Sequence, residues 1–342
     1  MTTLTRASLK QRPSPPGASA GVRIQGIDGL RGIALTLVVL FHLFGNGRVS
    51  GGVDVFLVVS GFLLAISLGR ALSSERRIWV TRRWGRMFAR LAPPAALVLL
   101  FVVVISLVIL PPWTREQNLR EVVAAVLYFE NWELIWSQLA YGAAGPLASP
   151  VQHFWSLSIQ AQVFLVLPVV ALIVARCLPS GRSAARVFWS VIAVSTVASF
   201  TYAWTLNSTA PDVAYFDSFA RFWELGVGAL AAGVLARHPL IRRSWMSALG
   251  WIGLVLVVAS GWLVDGARLF PGPYALIPVG GALLVILACA SGDDHSLSAA
   301  LSARPLRALD KISYSLYLWH WPLLITVLTI TGLESVGLLR HS

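Results

Sequence analysis

Two ionisable residues stand eleven apart in an otherwise apolar run, "RGIALTLVVLFH", with Arg31 at one end and His42 at the other. Eleven residues make about three helical turns, so a helix presents both side chains on nearly one face, about 16 Å apart along its axis. Two readings fit that spacing. Arg31 and His42 each snorkel to the nearer headgroups, or they line a polar route through a helix bundle. Ionisable groups in lipid are costly and by default functional, which favours the second reading. A guanidinium suits phosphate oxygens, and an imidazole can take a proton from a hydroxyl near neutral pH.

The next run, "GGVDVFLVVSGFLL" (51–64), brings Asp54 to the start of a second apolar segment across a short Gly-rich turn (45–52). A carboxylate there either orients His42 and raises its basicity or serves as a first-turn residue favoured by the helix dipole; spacing alone leaves both open. In "RRWGRMFARLAPP" (82–94), Arg82, Arg86 and Arg90 form an i, i+4, i+8 stripe, read as a helix meeting the membrane ahead of Pro93 and Pro94. Such a stripe either anchors topology or forks onto phosphates. "HFWSLSIQAQVFLVLP" (153–168) carries His153 and Trp155, placed at the outer interface, where Trp155 suits an aromatic belt. The same run carries Gln160 and Gln162, amides that hold helices together. In "SFARFWELGVGAL", Arg221 and Glu224 are i, i+3 and suited to neutralise one another. "ISYSLYLWHWPLLI" puts Tyr317 and His320 in the last apolar run, His320 too deep for an easy snorkel.

The elements that must position these residues are apolar helices. The 342 residues are 56% hydrophobic and 12% charged, with a mean hydropathy of +0.73; a soluble domain carries roughly a quarter charged residues. Runs of membrane-spanning length recur nine times, at 27–44, 53–69, 92–110, 155–175, 187–205, 218–236, 247–264, 273–290 and 312–331. A tenth stretch, 121–136, holds Glu130, Asn131 and Glu133 and reads as interfacial or re-entrant. The fold class is therefore an all-α polytopic transmembrane bundle of about nine to ten spans.

Net charge of +12 suggests nucleic acid only until its distribution is read. With the N-terminus inside and the nine runs alternating, 20 of the 27 basic residues fall in inner segments and five outside. That is the positive-inside asymmetry, with anionic lipids as the electrostatic partner. No aromatic-interleaved basic patch is left for nucleic acid. Two cysteines, Cys177 and Cys289, make no disulfide framework, and no histidine spacing suggests a metal. No internal repeat is visible, so an inverted-repeat transporter is not supported. Residues 1–25, rich in Pro and Ser, read as a disordered cytoplasmic tail.

These motifs together resemble the acyltransferase-3 family of integral membrane O-acyltransferases, bacterial enzymes that acylate surface carbohydrates. The resemblance runs from about Gly26 to Leu324, within an expected domain of 26–335, and rests on R-x10-H, "GVDVFLVVSGFL", "RxxxRLAP", "HFWSLS", "RFWELGVGAL" and "ISYSLYLWHWP" in the family's order. It implies an acyl-CoA donor, acetyl-CoA first among them, on the cytoplasmic side, with Arg31, Arg86 and Arg90 on its phosphates and no bound cofactor. It implies His42, oriented by Asp54, as general base on a hydroxyl of a carbohydrate or glycolipid at the outer face. His153, Trp155, Gln160, Arg221, Glu224, Tyr317 and His320 complete the expected site. The implied location is the bacterial cytoplasmic membrane. The family usually has Glu where this chain has Gln160, so any proton role there is lost. Residues 336–342 stand where family members usually continue, many of them into an SGNH hydrolase-like domain, and a truncated end is one expectation. The competing reading is a membrane transporter or an inactive acyltransferase-like partner subunit.

Overall fold

In a computed structural model, described for residues 24, 26–44, 50–73, 78–137, 148–178, 181–237, 244–291 and 296–333, the chain is built from helices, with no strand among the described residues. The expected tail, most of the turn after His42, and residues 336–342 lie outside the described residues. Along the chain come α1 (Ile27–Phe44), α2 (Gly52–Ser73), α3 (Val80–Val108), the short α4 (Arg115–Val126) and α5 (Glu130–Trp136), then α6 (Phe154–Cys177) and α7 (Gly181–Thr209). After these come α8 (Pro211–Phe216), α9 (Ser218–Arg237), α10 (Ser244–Leu263), α11 (Gly266–Leu269), α12 (Leu276–Ala290), α13 (Leu297–Leu301) and α14 (Arg304–Thr331).

Eight of these, α1, α2, α3, α6, α7, α9, α10 and α12 with its leading 3-10 turn, are long and apolar enough to cross a membrane. The last expected span is the 28-residue α14, whose middle is made more polar by Tyr314, Tyr317 and His320 between Trp319 and Trp321. The protein is a multi-pass membrane protein. Its lipid-facing stripes show the helical period: Leu97, Leu100, Val104 and Val108 of α3 are all exposed, spaced three to four apart as one helix face requires.

The arginine stretch and the following span are one helix. α3 runs unbroken through Pro93 and Pro94, so Arg83, Arg86 and Arg90 belong to the span itself rather than to a separate helix ahead of it. The 121–136 stretch is two short helices. Tyr128 adopts φ 54° between them, a left-handed turn that ends α4, and the Tyr128 carbonyl accepts a hydrogen bond from Gln162 Nε2 at 2.9 Å.

Close helix approach sets the centre. α2 lies against α9, α9 against α7, and α1 against α14. A methyl group on Gly61 would fall 2.0 Å from the Leu225 carbonyl oxygen, and one on Gly228 would fall 1.9 Å from that of Val58. Only glycine permits that approach, and it brings Asp54 at the head of α2 to Arg221 at the head of α9. Asp217 starts α9 by accepting the N–H groups of Phe219 and Ala220 at 2.7 and 2.9 Å, the ordinary N-cap arrangement. Burial raises the Asp217 carboxyl above its usual range, and these two backbone bonds oppose the shift.

Candidate active site

A cavity of about 590 Å³ runs between α2, α3, α6 and α14. One end is lined by Arg31, Arg83, Arg86 and Arg90, the other by Ser156 and Tyr317, with Gln160, Phe164, Leu57 and Tyr128 among the walls. Arg31, Arg86, Arg90, Gln160 and Tyr317 thus come together as cavity-lining residues. Arg31 also pairs with Asp310 at 3.2 Å, which ties α1 to α14. Arg82 is not in the wall. The residue that takes its place is Arg83, held by Ser67, whose Oγ and carbonyl oxygen accept from its guanidinium at 2.7 and 3.3 Å. The sequence does not distinguish Arg82 from Arg83, because 83, 86 and 90 lie on one helix face as readily as 82, 86 and 90.

Beyond the Ser156–Tyr317 end of the cavity lies a cluster of imidazoles. Tyr317 Oη donates to the His153 carbonyl at 2.8 Å and sits 2.7 Å from Ser156 Oγ, so the Ser156 hydroxyl is the donor between them. The Tyr317 ring is 5.5 Å from the rings of both His153 and His320. Neither His42 nor His320 lines the cavity, whereas Tyr317, packed against His320, does. His42 Nδ1 is 2.8 Å from His320 Nε2, and the His42 ring also lies 4.7 Å from that of Trp321. Local sequence explains His153. Pro322 has no N–H to give the carbonyl four residues earlier, and that carbonyl, Leu318, accepts from His153 Nε2 at 3.1 Å.

Two expectations are corrected here. Asp54 does not orient His42: its carboxylate is engaged by Arg221 Nη1 at 2.9 Å, and the group that meets His42 is His320. Glycine packing of α2 on α9 sets Asp54 against Arg221 at the head of α9. Trp155 is not a belt residue, because it is fully buried and its ring lies 5.1 Å from the Arg221 guanidinium. His153, at the N-cap position of α6, is buried as well.

Arg221 is a keystone. Its Nη1 also meets Glu224 at 2.9 Å, its Nε donates to the Tyr215 carbonyl at 2.9 Å, and its plane lies 4.4 Å from the Tyr215 ring. A buried guanidinium survives only with such partners. Among the described residues, no group of three His, Cys, Asp or Glu side chains could hold a metal ion.

A mixed polar and apolar cavity that ends at hydroxyls, with imidazoles packed behind them, inside a helical bundle defines a class: a multi-pass membrane protein with an internal polar site. The chain belongs to the acyltransferase-3 family, whose model, described as an acyltransferase domain, matches residues 24–337. It is 28% identical over 320 residues to the peptidoglycan O-acetyltransferase OatA of Listeria monocytogenes, covering 91% of this chain and 50% of that protein. It is 29% identical over 315 residues to the O-acetyltransferase OatA of Staphylococcus aureus, covering 89% and 51% respectively. The chain spans about half the length of the curated relatives it matches. No solved structure matches it.

Proposed function

We propose that this protein is a membrane O-acyltransferase that passes an acyl group, acetyl in the first instance, from acyl-CoA on the cytoplasmic side to a hydroxyl of a cell-wall carbohydrate on the other. The observation that carries this reading is the cavity with four arginines at one end and the Ser156–Tyr317 hydroxyls, backed by histidines, at the other. Guanidiniums hold phosphates by charge-assisted, forked hydrogen bonds. The predominance of basic residues on the arginine side supports placing that side in the cytoplasm of a bacterial cell. The relatives named as peptidoglycan O-acetyltransferases support acetyl as the group and a peptidoglycan-type glycan as the acceptor.

Arg31, Arg83, Arg86 and Arg90 hold the donor's phosphates, and its arm runs along the apolar wall towards Ser156. Tyr317 turns aside to admit the thioester, releasing two hydrogen bonds at a net cost of about 1 kcal/mol each. His42 takes the proton from the acceptor hydroxyl as its oxygen attacks the thioester carbon. The carbon–sulfur bond breaks, and the departing sulfur takes up the proton from His42. CoA stays on its own side.

The test is transfer from radiolabelled acetyl-CoA to glycan acceptor in sealed vesicles carrying wild type or His42→Ala. Labelling in wild type and none in the variant is the expected result. Equal labelling would remove His42 from the reaction.

A further inference from the structure

His320 lies outside the donor cavity, yet it makes the contact that decides how His42 behaves. Its Nδ1 is 2.7 Å from the Tyr317 carbonyl oxygen and 3.2 Å from that of Leu316. Carbonyl oxygens only accept, so this nitrogen carries a hydrogen. In a neutral ring the other nitrogen, Nε2, then holds a lone pair, and it is Nε2 that lies 2.8 Å from His42 Nδ1. His42 Nδ1 is therefore the donor, and Nε2 of neutral His42 becomes the basic atom. Two backbone carbonyls of α14 thus select, through two rings, the nitrogen of His42 able to accept a proton.

The surroundings keep that choice from reversing. The two rings are within 4° of parallel with centroids 5.1 Å apart, and Trp321 packs at 59° against His42. The third histidine does not compete. His153 spends its Nε2 hydrogen on the Leu318 carbonyl and meets His320 edge-on at 74°.

We propose that His320 is the positioning residue for His42: it fixes the tautomer and plane of that imidazole and shares the positive charge once Nε2 is protonated. Its catalytic consequence rests on the reading of His42 as general base given above; the tautomer itself follows from the hydrogen bonds. Orientation by a neighbouring acceptor is a known way to set which imidazole nitrogen reacts. Here the acceptor is a second imidazole where the sequence suggests a carboxylate.

The experiment is ¹⁵N NMR of histidine-labelled protein in lipid nanodiscs at about pH 7, where a neutral ring shows its tautomer, with His42 assigned by its loss in His42→Gln. Wild type is expected to show His42 protonated at Nδ1 and bare at Nε2. His320→Gln places an amide oxygen near the lost Nε2 and should keep that pattern and most of the activity. His320→Met fills the space without an acceptor. It should mix the two tautomers and lower kcat about a hundredfold, the scale of a general base, with the KM for acetyl-CoA unchanged. A wild-type His42 protonated at Nε2, or identical His42 signals in wild type and His320→Met, would overturn the proposal. Signals that change as expected in protein that transfers no acetyl group would uphold the positioning and overturn the acyltransferase reading instead.

Discussion

Arg221 Nη1 lies 2.9 Å from Asp54 Oδ1 across the contact between α2 and α9, and neither side chain exposes more than 2% of its surface. The pair fastens two spans whose backbones already touch through glycine. Removing the guanidinium would strand both Asp54 and Glu224 in an apolar interior. Arg221→Met is expected to cost about 3–5 kcal/mol of stability, measured by unfolding in detergent micelles. Asp54→Asn should cost less, since Arg221 keeps Glu224 and the Tyr215 carbonyl. Folded Asp54→Asn protein should retain most of its acyl transfer, and a complete loss would return Asp54 to a chemical role.

The four cavity arginines should act on the donor and not on the acceptor. Arg83→Ala, Arg86→Ala and Arg90→Ala are each expected to weaken CoA binding by about 1.5–3 kcal/mol, the value of a hydrogen bond to a charged group. Arg82→Ala, whose residue is absent from the wall, should leave binding as it was. Calorimetric titration with CoA separates them. Equal effects at 82 and 83 would mean the basic stretch acts only as a diffuse charge.

Glu130 predicts a pH dependence of stability. It is fully buried at the start of α5, and burial, followed by the charges of Glu121 and Glu133, pushes its carboxyl well above the ordinary 4.5. Burial also raises Glu121, against the hydrogen bonds it accepts from Ser149 and Gln117. A group raised on folding holds its proton more tightly in the fold, so its contribution is complete below pH 4.5 and is lost as pH climbs through the folded value. Glu130→Gln should therefore raise Tm at pH 8 with a gain that fades towards pH 5. A gain constant across that range would show that Glu130 does not titrate on unfolding.

The approach of α2 to α9 has its own test. Gly61→Ala and Gly228→Ala each drive a methyl into a carbonyl oxygen at 2.0 and 1.9 Å. Overpacking of this kind costs about 1–3 kcal/mol, or more where backbone must move. Gly85→Ala, which meets nothing within 4 Å, is the matched control on α3. Comparable Tm values for all three would mean the two helices separate without penalty.

Much of the scaffold is readable from the chain because lipid imposes one rule, an apolar run of about twenty residues per crossing. Runs at 27–44 and 218–236 emerge as α1 and α9 almost residue for residue. Arg86, Arg90, Gln160 and Tyr317 reach the cavity because helical spacing keeps them on inward faces. Pairings between distant segments are another matter. Proximity in sequence suggests Asp54 for His42, whereas packing gives Asp54 to a residue 167 positions away and gives His42 one 278 positions away. Such choices depend on which helices touch, and for Asp54 that is set by Gly61 and Gly228, which carry no chemistry of their own.

The phenol of Tyr317, tied to Ser156 and the His153 carbonyl, lines the arginine-containing hollow and packs against the imidazoles of His153 and His320. A watery shaft joining the two would let protons run down their gradient. A barrier at Tyr317 would keep the bilayer electrically tight while a small polar fragment is handled within it.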